Sequence, residues 1–354
     1  MPPETMSLLV LGVGGNVSQG IVKALAASSL KCRVIGGCVD ARSMGLYVCD
    51  HAVISPFATA PDFVDWLVDT CRKFNVAGVL SGVEPVLNVL AASKAEIEKR
   101  SGAKLLVSPP EKLAICGDKL LTAQWLRDHG LNSARSVDSQ DRQGVESLVK
   151  KCGYPLFTKP RGGKGSQGIA KIDSEAGLTA ATSKPNYVIQ EYLGDPQHEF
   201  TAATFTDRDA NVRGCIVFQR QLLERTTVSA EVVEAPHIRA EAIAISKALG
   251  PVGPCNMQFR LVGEKPVCFE INLRYSGTTP VRAHFGFNDV ELGVRHYVLG
   301  EPAYDLPHVR EGVALRFWNE IYVDPKAVDV CARTGGLANP RQAITALETF
   351  GREK

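Results

Sequence analysis

Short apolar runs alternate with amphipathic stretches from Ser7 to about Pro110. The run "SLLVLGV" is followed by "SQGIVKALAAS", "CRVIGGCVD", "APDFVDWLVDTCRKF", "VAGVLSG", "EPVLNVLAASKAEIEKR" and "KLLVSP". Strand-length apolar segments that alternate with helix-length amphipathic ones predict a parallel sheet with helices packed on it.

The pattern changes after the double proline Pro109–Pro110. A single helix is predicted for "PPEKLAICGDKLLTAQWLRDHGL", ending near Gly130, and a linking segment "SARSVDSQDRQG" leads to a helix around residues 145–152. Between Tyr154 and Ile271 the strand signals follow one another like hairpins: "YPLFTKP", "GIAKI", "YVIQEYL", "EFTAATF", "RGCIVFQR", "CNMQFRLV" and "PVCFEIN". One helix pattern, "HIRAEAIAISKALG", interrupts them, so an antiparallel α+β unit is expected. The last stretch holds one predicted strand, "VALRFWNEIYV", and a weakly patterned tail. The expected organisation is a Rossmann-like α/β domain over residues 1–108, an α+β unit over 109–310 and a C-terminal strand and tail over 311–354.

Composition narrows the function. With 354 residues, 45% hydrophobic and 22% charged, the chain has the make-up of a globular protein of more than one core. A net charge of +2 with no long basic run offers nothing to a polyanion, so nucleic acid is not an expected partner. The ten cysteines are scattered singly, without a CxxC pair, which fits reduced thiols and a cytoplasmic location. The first apolar run is far shorter than the roughly 20 residues a membrane span requires, and no basic segment precedes it. A membrane partner is likewise not expected.

Two constellations carry chemistry. Between two predicted strands, "RGGKGSQG" (161–168) places four glycines in eight residues, with Lys159, Arg161 and Lys164 supplying positive charge. Backbone N–H groups of such a loop can surround phosphate oxygens; the alternative is an ordinary hairpin connection. It is not a P-loop, because the GxxxxGK[ST] spacing is absent. The second constellation follows from strand pairing. If "CNMQFRL" and "PVCFEIN" form a hairpin with a three-residue connection, Gly263–Lys265, then Gln258 lies opposite Glu270 and Asn256 opposite Asn272. Phe259 then meets Phe269, and Met257 meets Ile271, on the apolar face. Clustered amide and carboxylate oxygens suit a hard cation such as Mg²⁺, whereas the alternative is a solvated polar sheet face. Arg274, two residues beyond Asn272, adds a guanidinium suited to a phosphate or carboxylate.

These residues, in this order, resemble an ATP-grasp module: Lys119 in "GDKLLT", Lys159 in "YPLFTKPRGGKGSQGI", Gln190 to Leu193 in "VIQEYL", Glu199 in "QHEF", Gln258 in "CNMQFR", and Glu270, Asn272 and Arg274 in "FEINLRYSGTT". Within that superfamily the chain is most similar to the ATP-binding units of the carbamoyl-phosphate synthase large chain, over about residues 7–310. The resemblance implies a pre-ATP-grasp domain followed by a two-part ATP-grasp domain with antiparallel sheets. It implies that Lys119 and Lys159 contact the ATP phosphates and that Gly162, Gly163, Gly165, Ser166 and Gly168 belong to a loop closing over them. Gln190, Glu191 and Leu193 would form the adenine hinge, and Glu199 would bind the ribose. Gln258, Glu270 and Asn272 would hold Mg²⁺, with Mn²⁺ as the alternative ion. Arg274 would steady the transferred phosphoryl group, assisted by Arg220. The implied activity is ADP-forming ligation of a small-molecule carboxylate to an amine through an acyl phosphate, by a protein that can pair as a homodimer.

The chain also departs from that relative. It holds one such module where the synthase large chain has two, and neither a glutaminase-like region nor a biotinyl-lysine carrier is visible, which favours a free-standing ligase. Two competing readings remain: a nucleotide-binding regulatory protein without turnover, and an NAD-dependent oxidoreductase. The second rests on "GVGGNVSQG" after the first strand, with Asp40 ending the second; Gly12 and Gly14 fit a dinucleotide fingerprint, but Val17 stands where the third glycine belongs. The turn Gly14–Asn16 and the segment Ser81–Glu84 are expected instead to line a substrate cleft, at the carboxyl ends of parallel strands. His284 is read as a packed or surface residue.

Overall fold

Five parallel strands open the chain: β1 (Met6–Leu11), β2 (Cys32–Cys38), β3 (His51–Ile54), β4 (Val76–Ser81) and β5 (Lys104–Leu105). The computed structural model describes residues 5–163, 168–194, 199–223, 226–306, 310–317 and 319–347. The strands lie in the order β3-β2-β1-β4-β5, with apolar cores on both faces, as the near-continuous apolar runs require. Strand β3 is absent from the sequence-based expectation. The predicted helix "EPVLNVLAASKAEIEKR" is two helices, Glu84–Ala92 and Lys94–Ser101, which meet at Ser93. Gly12 ends β1 at φ +77°, and a Cβ there would stand 2.2 Å from Val83 Cγ2, so only glycine lets the β1 turn approach the end of β4.

The helix expected from Pro110 to Gly130 is also two, Pro110–Gly117 and Lys119–Asp128. Asp118 leaves helical geometry, and its Oδ1 accepts the N–H groups of Leu120 and Leu121 at 2.8 and 3.2 Å. An Asp N-cap in mid-pattern thus restarts the helix and makes Lys119 its first residue.

A four-stranded antiparallel sheet follows: β6 (Ser136–Asp138), β7 (Leu156–Pro160), β8 (Ala170–Ile172) and β9 (Tyr187–Glu191), ordered β6-β9-β7-β8. Strand β6 lies inside the segment read as a linker. A helix, Glu175–Thr182, also sits within the stretch where only "HIRAEAIAISKALG" was read as helical. A larger antiparallel sheet contains β10 (Glu199–Thr206), β11 (Val212–Leu223), β12 (Thr226–Val232), β13 (Gly253–Val262), β14 (Lys265–Asn272) and β15 (Val313–Leu315), in the order β14-β13-β10-β11-β12-β15. Phe200, Met257, Phe259, Cys268 and Ile271 face the helix Pro236–Leu249. The opposite face is divided: Phe205, Ile216 and Phe218 pack under Phe285 and Phe287, while its other half carries polar side chains.

The predicted strand "VALRFWNEIYV" is two strands, β15 and β16 (Ile321–Val323). The tail then returns to the first domain: β17 (Gly336–Ala338) pairs antiparallel with the β3 edge, and β18 (Ile344–Leu347) pairs with β16. Among the described residues, no helix is long and apolar enough to cross a membrane. All ten cysteines are free.

Behind the segment after β14, Arg282 and Asp289 form an ion pair of 2.6 Å with side chains 0% and 1% exposed. Arg282 also donates to Ser276 Oγ at 2.9 Å. Burial pushes the Asp289 carboxyl upward, opposed by the guanidinium. Removing one partner of such a pair strands a buried charge. Asp289→Ala is therefore expected to lose about 3–5 kcal/mol in urea unfolding, whereas Arg282→Met combined with Asp289→Leu recovers much of it; equal stability of Asp289→Ala and parent would refute the pair's role.

Candidate active site

The small sheet and the polar half of the large sheet face each other across a cleft of about 1260 Å³. Its far end is lined by the first domain, through Gly15–Ser18 and Gly82–Glu84, as expected for carboxyl ends of parallel strands. Among the described lining residues there are seven cationic side chains and four carboxylates, an imbalance that suits an anionic ligand.

Alternation along β7 and β9 sends Leu156 and Ile189 into a core and turns Phe157, Lys159 and Gln190 to the cleft. Lys159 is only 5% exposed. Burial lowers its pKa to about 8, opposed by the nearby Glu270 carboxylate and reinforced by Lys119. Its Nζ stands 5.6 Å from the centre of the Phe269 ring, which also receives the Arg260 guanidinium at 5.8 Å. Lys119 Nζ lies 3.4 Å from the Arg161 carbonyl and 3.5 Å from that of Gly163, at the root of the glycine loop. Arg161 does not offer free charge to that loop, contrary to expectation. It donates twice to Asp118 Oδ2, at 2.7 and 2.9 Å, and once to Asp138 at 2.9 Å. Although burial works against the ionised Asp118, Arg161 and the capping N–H groups hold its pKa below the ordinary value. Gly162 and Gly163 line the cleft; Gly168 is described but does not, and Lys164, Gly165 and Ser166 lie outside the described residues.

At the end of β9, Gln190 is buried and donates to Ser136 Oγ at 2.7 Å. The Glu191 carboxylate turns to Arg135, accepting from its N–H and Nη1 at 2.8 Å each, so this residue meets a cleft ligand through its main chain. Tyr192 and Leu193 complete that wall. Glu199 is opposite Arg220 on one neighbouring strand and Arg260 on the other. Register alone therefore makes an Arg–Glu–Arg row: Arg220 Nε reaches Oε1 at 3.1 Å, and Arg260 Nη2 reaches Oε2 at 3.2 Å. Carboxylate oxygens accept more than one bond each, so Glu199 keeps acceptor capacity toward the cleft.

The β13–β14 ladder pairs Gln258 with Glu270 and Asn256 with Asn272 as expected, but by another route. The connection has two residues, with Val262 opposite Lys265, and the register shifts so that Phe259 pairs with Cys268. Phe269 is the extra residue of this bulge. Cys268 turns into the core, and Phe269 lines the cleft instead of packing on the apolar side. Glu270 Oε1 accepts from Asn272 Nδ2 at 2.9 Å, with Gln258 Nε2 at 3.4 Å. No group of three His, Cys, Asp or Glu side chains gathers among the described residues. The donor set here is one carboxylate and two amides, which fits a hard cation that draws its remaining oxygens from phosphates and water. Arg274 lines the same cleft, donating to Glu84 Oε1 at 2.9 Å and to the Tyr275 carbonyl at 3.0 Å.

The cleft thus brings together Lys119, Lys159, Gln190, Glu199, Arg220, Gln258, Glu270, Asn272 and Arg274 from seven segments of chain. Sequence reasoning passed over Arg260 and Arg316. Arg260 shares its face with Gln258 by simple alternation, whereas nothing local marks Arg316. Asp40 is exposed and accepts from the Arg42 N–H, and the Val17 side chain fills the space beside Gly82, so nothing here favours a nicotinamide site. His284 is exposed and outside the cleft.

Comparison with known proteins places this geometry. Residues 8–106 match the family model of the PylC-like N-terminal domain, and residues 183–321 match that of the ATP-grasp proteins in the biosynthetic pathway with Ter operon. The mitochondrial methylcrotonoyl-CoA carboxylase subunit alpha of Dictyostelium discoideum is 21% identical, over 95% of this chain and 51% of its own length. A carbamoyl phosphate synthase large chain of Kocuria rhizophila is 25% identical, over 51% of this chain and 18% of its own. The chain therefore spans about half the length of the first relative and under a fifth of the second. In fold, N5-carboxyaminoimidazole ribonucleotide synthetase from Thermus thermophilus aligns with TM-score 0.68 at 17% identity, covering 90% of this chain and 85% of that one. The biotin carboxylase domain of 2-oxoglutarate carboxylase from Hydrogenobacter thermophilus, solved as a dimer with MgADP and bicarbonate, aligns with TM-score 0.67 at 15% identity, covering 92% and 77%. Two facing antiparallel sheets with a buried lysine on one and a Gln–Glu–Asn set on the other, behind a parallel first domain, agree with these matches: the chain carries a PylC-like N-terminal domain over residues 8–106 and an ATP-grasp domain matched over residues 183–321.

Proposed function

We propose that the protein is an ADP-forming ligase that joins a small-molecule carboxylate to an amine, with ATP and Mg²⁺ as cofactors. The observation that carries this reading is the convergence of Lys159 and Glu270 from two different sheets on one cleft. In the reaction, a carboxylate oxygen of the substrate attacks the γ-phosphorus of ATP and ADP leaves. The amine then attacks the acyl carbon, phosphate departs with the bonding electrons, and the amine loses a proton. Lys119 and Lys159 neutralise charge on the transferred phosphoryl group, Arg274 and Arg220 hold the anion as it forms, and the hinge Gln190–Leu193 with Glu199 receives the nucleoside. Gln258, Glu270 and Asn272 would hold the magnesium ion, with Mn²⁺ as a substitute, which supplies charge neutralisation at the phosphates. The loop over Gly162, Gly163, Gly165, Ser166 and Gly168 would exclude water from the acyl phosphate. The same proposal includes domain limits of 1–108, 109–310 and 311–354, a cytoplasmic location and a homodimer.

The direct test is ADP release with Mg-ATP against a panel of carboxylate and amine pairs, together with thermal shift. Mg-ATP should raise the melting temperature and NAD should not; a shift by NAD alone would discard the reading.

Two substitutions examine its parts. Glu270→Gln keeps shape but removes the only anion of the metal set, so ADP formation should fall about 100-fold or more, with excess Mg²⁺ restoring little. Parental activity and parental Mg²⁺ dependence in that variant would remove the metal assignment. Lys159 titrates near 8 in the fold against the usual lysine range in the unfolded chain, so the folded chain loses this proton first. Its buried charge costs stability below about pH 8, and the cost is relieved as pH rises from 8 toward 10.5. ATP affinity should accordingly weaken above pH 8. Lys159→Met should bind ATP weakly at every pH while its nucleotide-free form at pH 7 melts no lower than parent; a parental pH profile of binding would exclude the lysine.

A further inference from the structure

Arg316 follows the edge strand β15, in the C-terminal segment to which the ligase reading gives no task. Its main-chain N–H donates to the Val228 carbonyl at 2.8 Å, and its Nη2 donates to the Gly277 carbonyl at 2.6 Å, so both ends of the residue are held. The side chain lines the cleft, and burial lowers its pKa. Among the described residues Arg316 makes no ion pair, whereas the other arginines of the cleft, Arg220, Arg260 and Arg274, each have a carboxylate. A half-buried guanidinium without a counter-ion is costly unless a ligand supplies one.

Asn16 supplies the second side of the same place. A Cβ on Gly277 would stand 3.3 Å from Asn16 Nδ2 and 4.0 Å from Arg316 Nη1, so an amide donor and a guanidinium flank the space that this glycine leaves open. Asn16 is also the first residue of the helix Asn16–Ala26, whose N-terminal end carries partial positive charge. Asn16 belongs to the first-domain end of the cleft, and Arg316 reaches it from the edge of the large sheet, where β15 stands at the opposite side from β14.

We propose that Arg316 and Asn16, beside Gly277, form an anchoring subsite for a non-reacting anionic group, a carboxylate or a phosphate, carried by one of the two substrates. The proposal rests on the ligase reading and narrows it: one substrate bears an anion besides the carboxylate that is activated. Arg316 presents a planar fork suited to either group, with Asn16 adding a directional donor. Delivery of this arginine from the end of β15 makes the substrate end of the cleft depend on the edge strand of the large sheet.

The test uses the full chain saturated with Mg²⁺ and a non-hydrolysable ATP analogue, so that the nucleotide phosphates already fill their own places. Succinate and inorganic phosphate are titrated separately at constant ionic strength, and thermal shift is read for parent, Arg316→Met, Arg316→Lys and Asn16→Ala. The parent should respond saturably to at least one anion, and which one identifies the group. The response should weaken about tenfold or more in Arg316→Met, recover in part in Arg316→Lys, and weaken less in Asn16→Ala, with the analogue's own stabilisation unchanged in all three. An undiminished anion response in Arg316→Met overturns the subsite. So does a parent that responds to the analogue but to neither anion, or an Arg316→Met variant that loses the analogue's stabilisation. A parent that the analogue itself fails to stabilise would count against the ligase reading instead.

Discussion

The arrangement depends on an ammonium held almost out of water. Lys159 retains about one-twentieth of its exposure, on a strand whose other face is core, and it points at a second sheet that offers a carboxylate, an aromatic face and the Arg260 guanidinium. Glu270 offsets only part of the desolvation, which is why burial brings the lysine down to about 8. A polyphosphate entering the cleft would supply the missing negative charge at low local dielectric, where each such contact is stronger than in water.

The large sheet distributes the remaining charges through register. Because Glu199 is opposite Arg220 and Arg260 at once, its carboxylate fixes two guanidinium groups that would otherwise repel each other. The bulge at Phe269 has a comparable effect: the hairpin keeps Gln258 opposite Glu270 and also delivers an aromatic ring between Lys159 and Arg260. Further along β10 and β11 the same face becomes apolar, and Phe205 and Phe218 are sealed there by Phe285 and Phe287. Arg282 and Asp289 then anchor Ser276 from behind, so the loop beside Arg274 rests on a buried ion pair and not on solvent contacts.

The first domain and the C-terminal segment complete the cleft. Arg274 donates to Glu84 at the start of the helix that follows β4, which ties the segment after Asn272 to the parallel first domain. The tail adds β15 to one sheet and β17 to the other, so the segment that carries Arg316 is attached at both ends. By contrast, pairs such as Arg135–Glu191, in which the arginine is half exposed, add little stability and act chiefly to orient the Glu191 carboxylate.

Local periodicity determined much of this in advance. Alternation in "CNMQFRL" and "PVCFEIN", with a three-residue turn assumed, set Gln258 against Glu270 and Asn256 against Asn272, a pairing the structure reaches with a two-residue turn and a bulge. Apolar runs alternating with amphipathic stretches implied the parallel first domain. These features repeat every two or three to four residues, so a short window reveals them. What only the tertiary structure decided involves partners distant along the chain or a single departure from the period. Asp118 interrupts a continuous helical pattern because its carboxylate caps the next turn and meets Arg161, 43 residues away. Phe269 changes face because it is the extra residue of the bulge that keeps Gln258 opposite Glu270 across a two-residue turn. Arg316 has no sequence signal at all: its position follows from the pairing of β15 with β12 and from the carbonyl of Gly277, 39 residues earlier. Periodicity records which face a residue occupies within its own element, and it is blind to which element lies opposite, since that is decided by packing of the whole chain.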